Sequence, residues 1–197
     1  MCIRDSASAG AIENRAFDAA YENSGDLVVA WARQAVNGFY WSRKPANTAT
    51  WTTEALETIF MKPHFIDLAA EPGGDRIACG LYDLGDTIER MATSMWDGTQ
   101  WVDSGELDSQ TWDVNDTALG DFQGGVGWVG TSGMAVCVYA DEQPGALDWA
   151  RWTAGTGWVL QPDVPIIGKG HTESVQLEAI PGSNAMQAVF SDETGKL

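Results

Sequence analysis

The chain has 197 residues, with 11 Lys+Arg against 28 Asp+Glu, a net charge of −17. Hydrophobic residues make up 44% and charged residues 20%, with 22 Gly and 10 Trp; this is a globular composition, long enough for one or two domains with cores. So acidic a surface repels phosphate backbones and anionic lipid, which excludes nucleic acid as an expected partner. The absence of any apolar run of about 18 residues excludes a membrane-spanning helix.

Met1–Ser6 reads MCIRDS, one reading frame of a transposon end used to prepare sequencing libraries. Residues 1–13 are therefore expected to be a sequencing scar and tail, and are set aside from fold reasoning. The chain also stops part-way through a repeat at Asp192–Leu197. Both ends are expected to be cuts, as in a metagenomic fragment.

The repeat organises everything between. Ala20–Trp31 lines up with Ala69–Gly80, Trp128–Val138 and Ala179–Val189. The anchors Asp26, Asp75, Gly133 and Asn184 are 49, 58 and 51 residues apart, and Trp51, Trp101 and Trp158 follow the first three anchors by 25, 26 and 25 residues. Unit boundaries fall at 14–60, 61–120, 121–169 and 170–197, the last unit incomplete.

Each unit reads as four strands. An apolar run such as Phe65–Ala70 comes first, then a Gly/Pro/Asn turn such as Pro72–Asp75. The second strand is predicted at Ile77–Tyr82 or Met134–Tyr139, and the third at Thr87–Trp96 or Ala146–Trp152. A tight turn at Asp97–Gln100 leads into Trp101 and the fourth strand. Thr53–Phe60 is the nearest thing to a helical stripe and is expected to be strand plus loop. Tandem four-stranded units of this length predict an all-β chain forming a partial β-propeller of about three and a half four-stranded antiparallel blades. Stacking buries faces that one sheet alone leaves wet. A tandem β-sandwich array is the competing architecture, but it needs a longer repeat. Units one and three share Phe17 and Phe122, and units two and four share Leu-x-Ala at Leu68 and Leu177 with Pro-Gly-x-Asp/Asn after it, as if a pair of blades had duplicated.

The hairpin Trp96-Asp97-Gly98-Thr99-Gln100-Trp101, its looser copy Trp152–Trp158, and the phrases Phe17–Glu22 and Leu68–Pro72 resemble propeller blade repeats of uncharacterised bacterial secreted and surface proteins. The resemblance implies an exported protein, extracellular or at the cell surface, with further blades of the same parent chain as neighbours. The hairpin is also similar to the Asp-box of sialidases and to the turns of fucose-type propeller lectins, although Asp97 stands three residues after Ser94 where an Asp-box has two.

Individual residues point mostly to structure. Trp51, Trp101 and Trp158 are expected to pack between blades, while Trp112, in an insertion, is a candidate surface ligand contact. Cys79 and Cys137 each lie four residues past their anchors, where the other units carry Ala30 and Ala188. Such stacked positions are about 10 Å apart, beyond disulfide reach, which predicts buried free thiols and no metal. Asp83, Asp141 and Asp192 fall eight residues past the anchor, at the turn between second and third strands, and are candidate ligand-binding carboxylates on the propeller rim. The commoner reason for Asp at such a turn is that its side chain bonds nearby backbone N–H groups. His64 and His171 start units out of register and read as loop residues.

No catalytic or cofactor motif is recognisable. The expected function is a non-catalytic binding or scaffold module, with glycans or cell-surface components as partners and no cofactor. A carbohydrate-binding propeller lectin is the alternative; it requires one aromatic-plus-polar site per blade or blade pair. A sialidase-like glycan-cleaving enzyme comes third, because the arginines outside Met1–Ser6 (Arg15, Arg33, Arg43, Arg76, Arg90, Arg151) share no register.

Overall fold

Turn residues and β-rich runs cut the chain into short strands. The computed structural model describes residues 16–33, 36–84, 89–109, 124–140, 143–166, 172–180 and 183–192. Among these every regular element is a strand, and neighbouring strands are antiparallel. Sheet 1 is β1 (Phe17–Tyr21), β2 (Leu27–Ala32), β3 (Phe39–Lys44) and β4 (Ala55–Glu57), paired in chain order. Sheet 2 is β5 (Phe65–Ala70), β6 (Ile77–Leu84), β7 (Glu89–Trp96) and β8 (Trp101–Asp108), again in order. Sheet 3 is β9 (Gly124–Trp128), β10 (Met134–Ala140), β11 (Ala146–Thr153) and β12 (Gly157–Leu160), with β13 (Val164–Pro165) also on β11. Sheet 4 holds β14 (Thr172–Ala179) and β15 (Met186–Asp192).

The Asp97 turn shows how the sequence fixes a hairpin. Asp97 Oδ1 accepts from Thr99 N (2.8 Å), Gln100 N (2.9 Å) and Thr99 Oγ1 (2.7 Å), and Gly98 takes φ +100°. Burial pushes the Asp97 carboxyl up, but these donors outweigh it and hold it below its ordinary value. The turn sets Trp96 directly across from Trp101.

The sheets stack face to face. β1 lies beside β5, β5 beside β9, and β9 beside β14, so the first strands form one side of the stack. Sheet 2 is covered on both faces, which is why Ile77, Ala78, Cys79, Leu81 and Tyr82 are all fully buried in an almost continuous apolar run. One core lies between sheets 1 and 2, around Val28, Phe39, Ile66, Leu81, Trp96 and Trp101. A second lies between sheets 2 and 3, around Tyr82, Met91, Val126, Trp128, Tyr139 and Trp152.

One hydrogen bond recurs at the first-strand edge. Asp18 Oδ2 accepts from Leu68 N at 2.9 Å, and Asp67 Oδ2 accepts from Val126 N at 3.0 Å. Asp18 and Asp67 hold the same register, and so do Leu68 and Val126. At the third junction Gly125 takes the carboxylate's place and the backbones close up, so that a Cβ there would stand 3.6 Å from Leu177 N. The repeat thus persists as a repeated junction.

Three expectations need correction. The turn of sheet 1 is one residue shorter than the others: Glu22 N donates to Asp26 O, whereas Glu71 N donates to Arg76 O. Consequently Val29, not Ala30, stands at the thiol register, since Ala19 pairs with Val29 as Leu68 pairs with Cys79 and Val126 with Cys137. Trp51 does not open a fourth strand; Thr52 N bonds Arg43 O and β4 begins only at Ala55. Asp83 lies within β6, paired with Arg90, rather than in a turn. Cys79 and Cys137 are both fully buried and free, and burial, with nearby Asp67, pushes both thiols well above their ordinary range.

Candidate functional site

Among the four rim candidates, only Asp83 has a described side chain. It is partly buried, and its Oδ1 lies 3.1 Å from His64 Nδ1 in the loop leading to β5. His64 N also donates to Tyr82 O, so this pair closes the end of sheet 2. Asp141 and Trp112 lie outside the described residues, and so does the Asp192 side chain, although Asp192 ends β15 opposite Thr172.

What the structure does bring together is an acid, an arginine and tryptophan at two successive sheet junctions. Glu22, just past β1, is buried. Its Oε1 accepts from Trp96 Nε1 of sheet 2 at 2.7 Å, and its Oε2 from Arg43 Nε at 2.8 Å. Arg43 Nη2 also reaches Asp26 Oδ2 at 2.8 Å, and its guanidinium carbon lies 5.9 Å from the Trp96 ring centre. Glu71 holds the position in sheet 2 that Glu22 holds in sheet 1. It takes Arg76 in a bidentate pair, Nε to Oε2 at 2.7 Å and Nη2 to Oε1. The Arg76 guanidinium carbon lies 5.3 Å from the Trp128 ring centre and 5.0 Å from that of Trp152, both in sheet 3.

The indole N–H groups of the second cluster are used for holding sheets together. Trp128 Nε1 donates to Ala69 O at 2.7 Å, and Trp152 Nε1 donates to Asp103 Oδ2 at 2.8 Å. Asp103 sits in a bulge of β8 opposite Ser94, at φ +51°. Trp128 and Trp152 are 2% and 4% exposed, whereas the Arg76 and Glu71 side chains are 27% and 12% exposed. Polar groups therefore face solvent over a floor of buried rings. Gly133 borders them; a Cβ there would stand 3.4 Å from Arg76 Nη2. The sequence named Glu22, Glu71 and Trp128 only as repeat positions. Arg43 lies in β3 and Arg76 in the turn before β6, so the two share no sequence register, yet their guanidinium groups arrive at equivalent junctions.

The two clusters differ in access. Glu22 is closed, and burial pushes its carboxyl above the ordinary value even though Trp96 and Arg43 pull it down. The sign follows: a raised folded value gives a contribution fully present below the unfolded value and lost as pH rises through the folded one. Glu22→Gln cannot titrate. Denaturant titrations of both proteins should therefore show wild type gaining on Glu22→Gln as pH falls from 7 toward about 4.5. A difference that stays flat or reverses would contradict this assignment.

No protein-family profile and no curated protein matches the chain. Among solved structures, the chain is similar to a fucose lectin from Kordia zhangzhouensis in complex with methyl-fucoside. The TM-score is 0.41 at 14% identity, covering 74% of this chain and 96% of that one.

Proposed function

We propose that the chain is part of a β-propeller, with sheets 1 to 3 as blades and sheet 4 as a half blade, and that it is a non-catalytic binding or scaffold module of a larger exported bacterial protein. The observation that carries this reading is the recurring junction. Carboxylates, arginines and indoles that could serve chemistry are engaged in joining one sheet to the next. Acids without a recurring partner, such as those that give the chain its charge of −17, suit a solvated extracellular surface. No helix among the described residues is long and apolar enough to cross a membrane.

A second reading, carbohydrate binding, is favoured by one feature: the Arg76–Glu71 pair, 27% and 12% exposed, lies against the rings of Trp128 and Trp152. A guanidinium and a carboxylate side by side match adjacent hydroxyls as donor and acceptor. The experiment is calorimetric titration with a panel of neutral monosaccharides, on wild type and Arg76→Ala. Binding in the millimolar range or tighter that disappears in Arg76→Ala supports the lectin reading. Silence across the panel leaves the scaffold reading standing alone. Binding untouched by Arg76→Ala removes this site from it. Turnover of a glycoside by the wild-type chain would overturn both readings in favour of a glycan-cleaving enzyme.

A further inference from the structure

The first and third sheet junctions bring their turns together through one repeated side chain, and the second junction does not. The turns of sheets 2, 3 and 4 close alike: Glu71 N donates to Arg76 O, Val129 N to Met134 O and Ile180 N to Ala185 O. The residue just before each closing carbonyl is therefore equivalent, namely Asp75, Gly133 and Asn184. In two cases the side chain crosses to the preceding sheet. Asp75 Oδ1 accepts from Ser24 N of the sheet 1 turn at 2.7 Å. Asn184 Oδ1 comes so close to the sheet 3 turn that a Cβ on Gly130 would stand 2.8 Å from it. Gly133 has no side chain to send across. Among the described residues no hydrogen bond joins the 129–134 turn to the 71–76 turn.

The Glu71–Arg76 pair lies at that place instead. A Cβ on Gly133 would stand 3.4 Å from Arg76 Nη2 and 3.8 Å from Glu71 Oε1, so any side chain at this position starts on top of the pair. Access follows the same division. The Glu22 side chain, at the first junction, is 0% exposed, and that of Glu71, at the second, is 12% exposed. At the third junction Val129 holds the position of Glu71, so no acid stands there. Among the described residues, only the second junction combines an ion pair with an anchor that bears no side chain.

The chemistry of the pair names the class of ligand. Arg76 gives Nε and Nη2 to Glu71, which leaves Nη1 to donate. The Glu71 oxygens retain lone pairs for a hydroxyl hydrogen. A sugar hydroxyl both donates and accepts, so two neighbouring hydroxyls satisfy both groups. A simple carboxylate offers Glu71 no hydrogen and meets its charge. We infer, on the carbohydrate reading of the Arg76–Glu71 pair, that Gly133 is the residue that admits a ligand to this junction, and that a neutral sugar lays its hydroxyl groups where an anchor side chain would otherwise stand. Asparagine is the substitution that restores the pattern of the other junctions. It is among the few side chains that accept a φ like the +72° of Gly133, and its amide oxygen would compete with the ligand for Arg76. Alanine carries at least the same backbone cost but adds only the Cβ, at contact distance from Arg76.

The test is calorimetric titration of the full chain with the panel of neutral monosaccharides and with acetate, on wild type, Gly133→Asn, Gly133→Ala and Arg76→Ala. Wild type is expected to bind a sugar in the millimolar range or tighter, and not to bind acetate. Gly133→Asn should weaken sugar binding at least about tenfold, and Gly133→Ala by no more than about threefold. Gly133→Asp, with the residue that sheet 2 carries, is the second variant and should act like Gly133→Asn. Matched melting curves and circular dichroism check the fold. Sugar binding that is lost in Arg76→Ala but unchanged in Gly133→Asn and Gly133→Asp overturns the inference and leaves the carbohydrate reading in place. Equal losses in Gly133→Asn and Gly133→Ala also overturn it, because backbone strain would then be the cause. A wild type that binds no sugar overturns the carbohydrate reading, and the role of Gly133 with it. Acetate binding that Arg76→Ala removes would overturn the neutral class of ligand.

Discussion

Trp96→Ala is expected to cost about 3–5 kcal/mol of unfolding free energy, the range for emptying a buried aromatic site. Trp96 is fully buried, and it touches Trp41 at 4.8 Å and Trp101 at 5.5 Å between ring centres, both edge-on. Its N–H also satisfies Glu22 Oε1, so the truncation leaves a buried carboxylate short of a donor as well as a cavity. Trp96→Phe separates the two effects. It retains most of the ring and loses only the N–H, and should cost about 1–3 kcal/mol. Guanidinium denaturation of both variants measures this, and a double-mutant cycle with Glu22→Gln isolates the bond. A loss below about 1 kcal/mol for Trp96→Ala would mean that sheets 1 and 2 are not held through this residue.

Trp96 also shows how far the sequence could be read. The pairing of Trp96 with Trp101 was legible because a two-tryptophan hairpin with Asp-Gly between has few other conformations. Strand order followed for the same reason, since short turns join strands that must be neighbours. What was illegible was the contact between units. Glu22 to Trp96 spans 74 residues, and Trp152 to Asp103 spans 49; no local pattern encodes either. The unit-one register slipped because an anchor alignment counts residues, whereas the ladder counts hydrogen bonds, and the sheet 1 turn is one residue shorter. That one-residue slip moves Ala30 to the opposite face and brings Val29 to the thiol register. Trp51 misled for a related reason. The loop between β3 and β4 is long enough to absorb it, so the even spacing of the three tryptophans does not carry equal structural roles.

The turns meet differently at successive sheet junctions, and that difference leads to the second large effect. At the junction of sheets 1 and 2 the hairpin turns touch: Asn23 N donates to Gly74 O at 3.1 Å, and Ser24 N to Asp75 Oδ1 at 2.7 Å. At the junction of sheets 3 and 4 the turns touch again, with Gly130 against Ser183 and Asn184. Between sheets 2 and 3 the Arg76–Glu71 pair lies beside Gly133 instead. Asn184 is the anchor that matches Asp75, so a turn-to-turn contact recurs at the first and third junctions.

Gly130→Ala should therefore undock the β14–β15 hairpin while leaving the rest of the stack folded. Gly130 has φ +52°, where an alanine costs about 1–2 kcal/mol. A Cβ there would also collide with the Ser183 carbonyl oxygen and stand 2.8 Å from Asn184 Oδ1. The first obstacle is backbone and cannot rotate aside, so overpacking adds about 1–3 kcal/mol. That total falls on a two-stranded sheet whose attachment to the stack rests on β9 and β10, through contacts such as Val175, Leu177 and Met186. Hydrogen exchange should show β14 and β15 amides losing protection while those of β6 and β7, in the doubly covered sheet, keep theirs. Gly73→Ala is the control: it carries a similar left-handed φ of +76° in the corresponding turn of sheet 2, but a Cβ there meets nothing within 4 Å. It should show the backbone cost alone, with sheet 4 protected as in wild type. Equal loss of protection in both variants would assign the effect to strain and remove the close approach of the two turns as its cause.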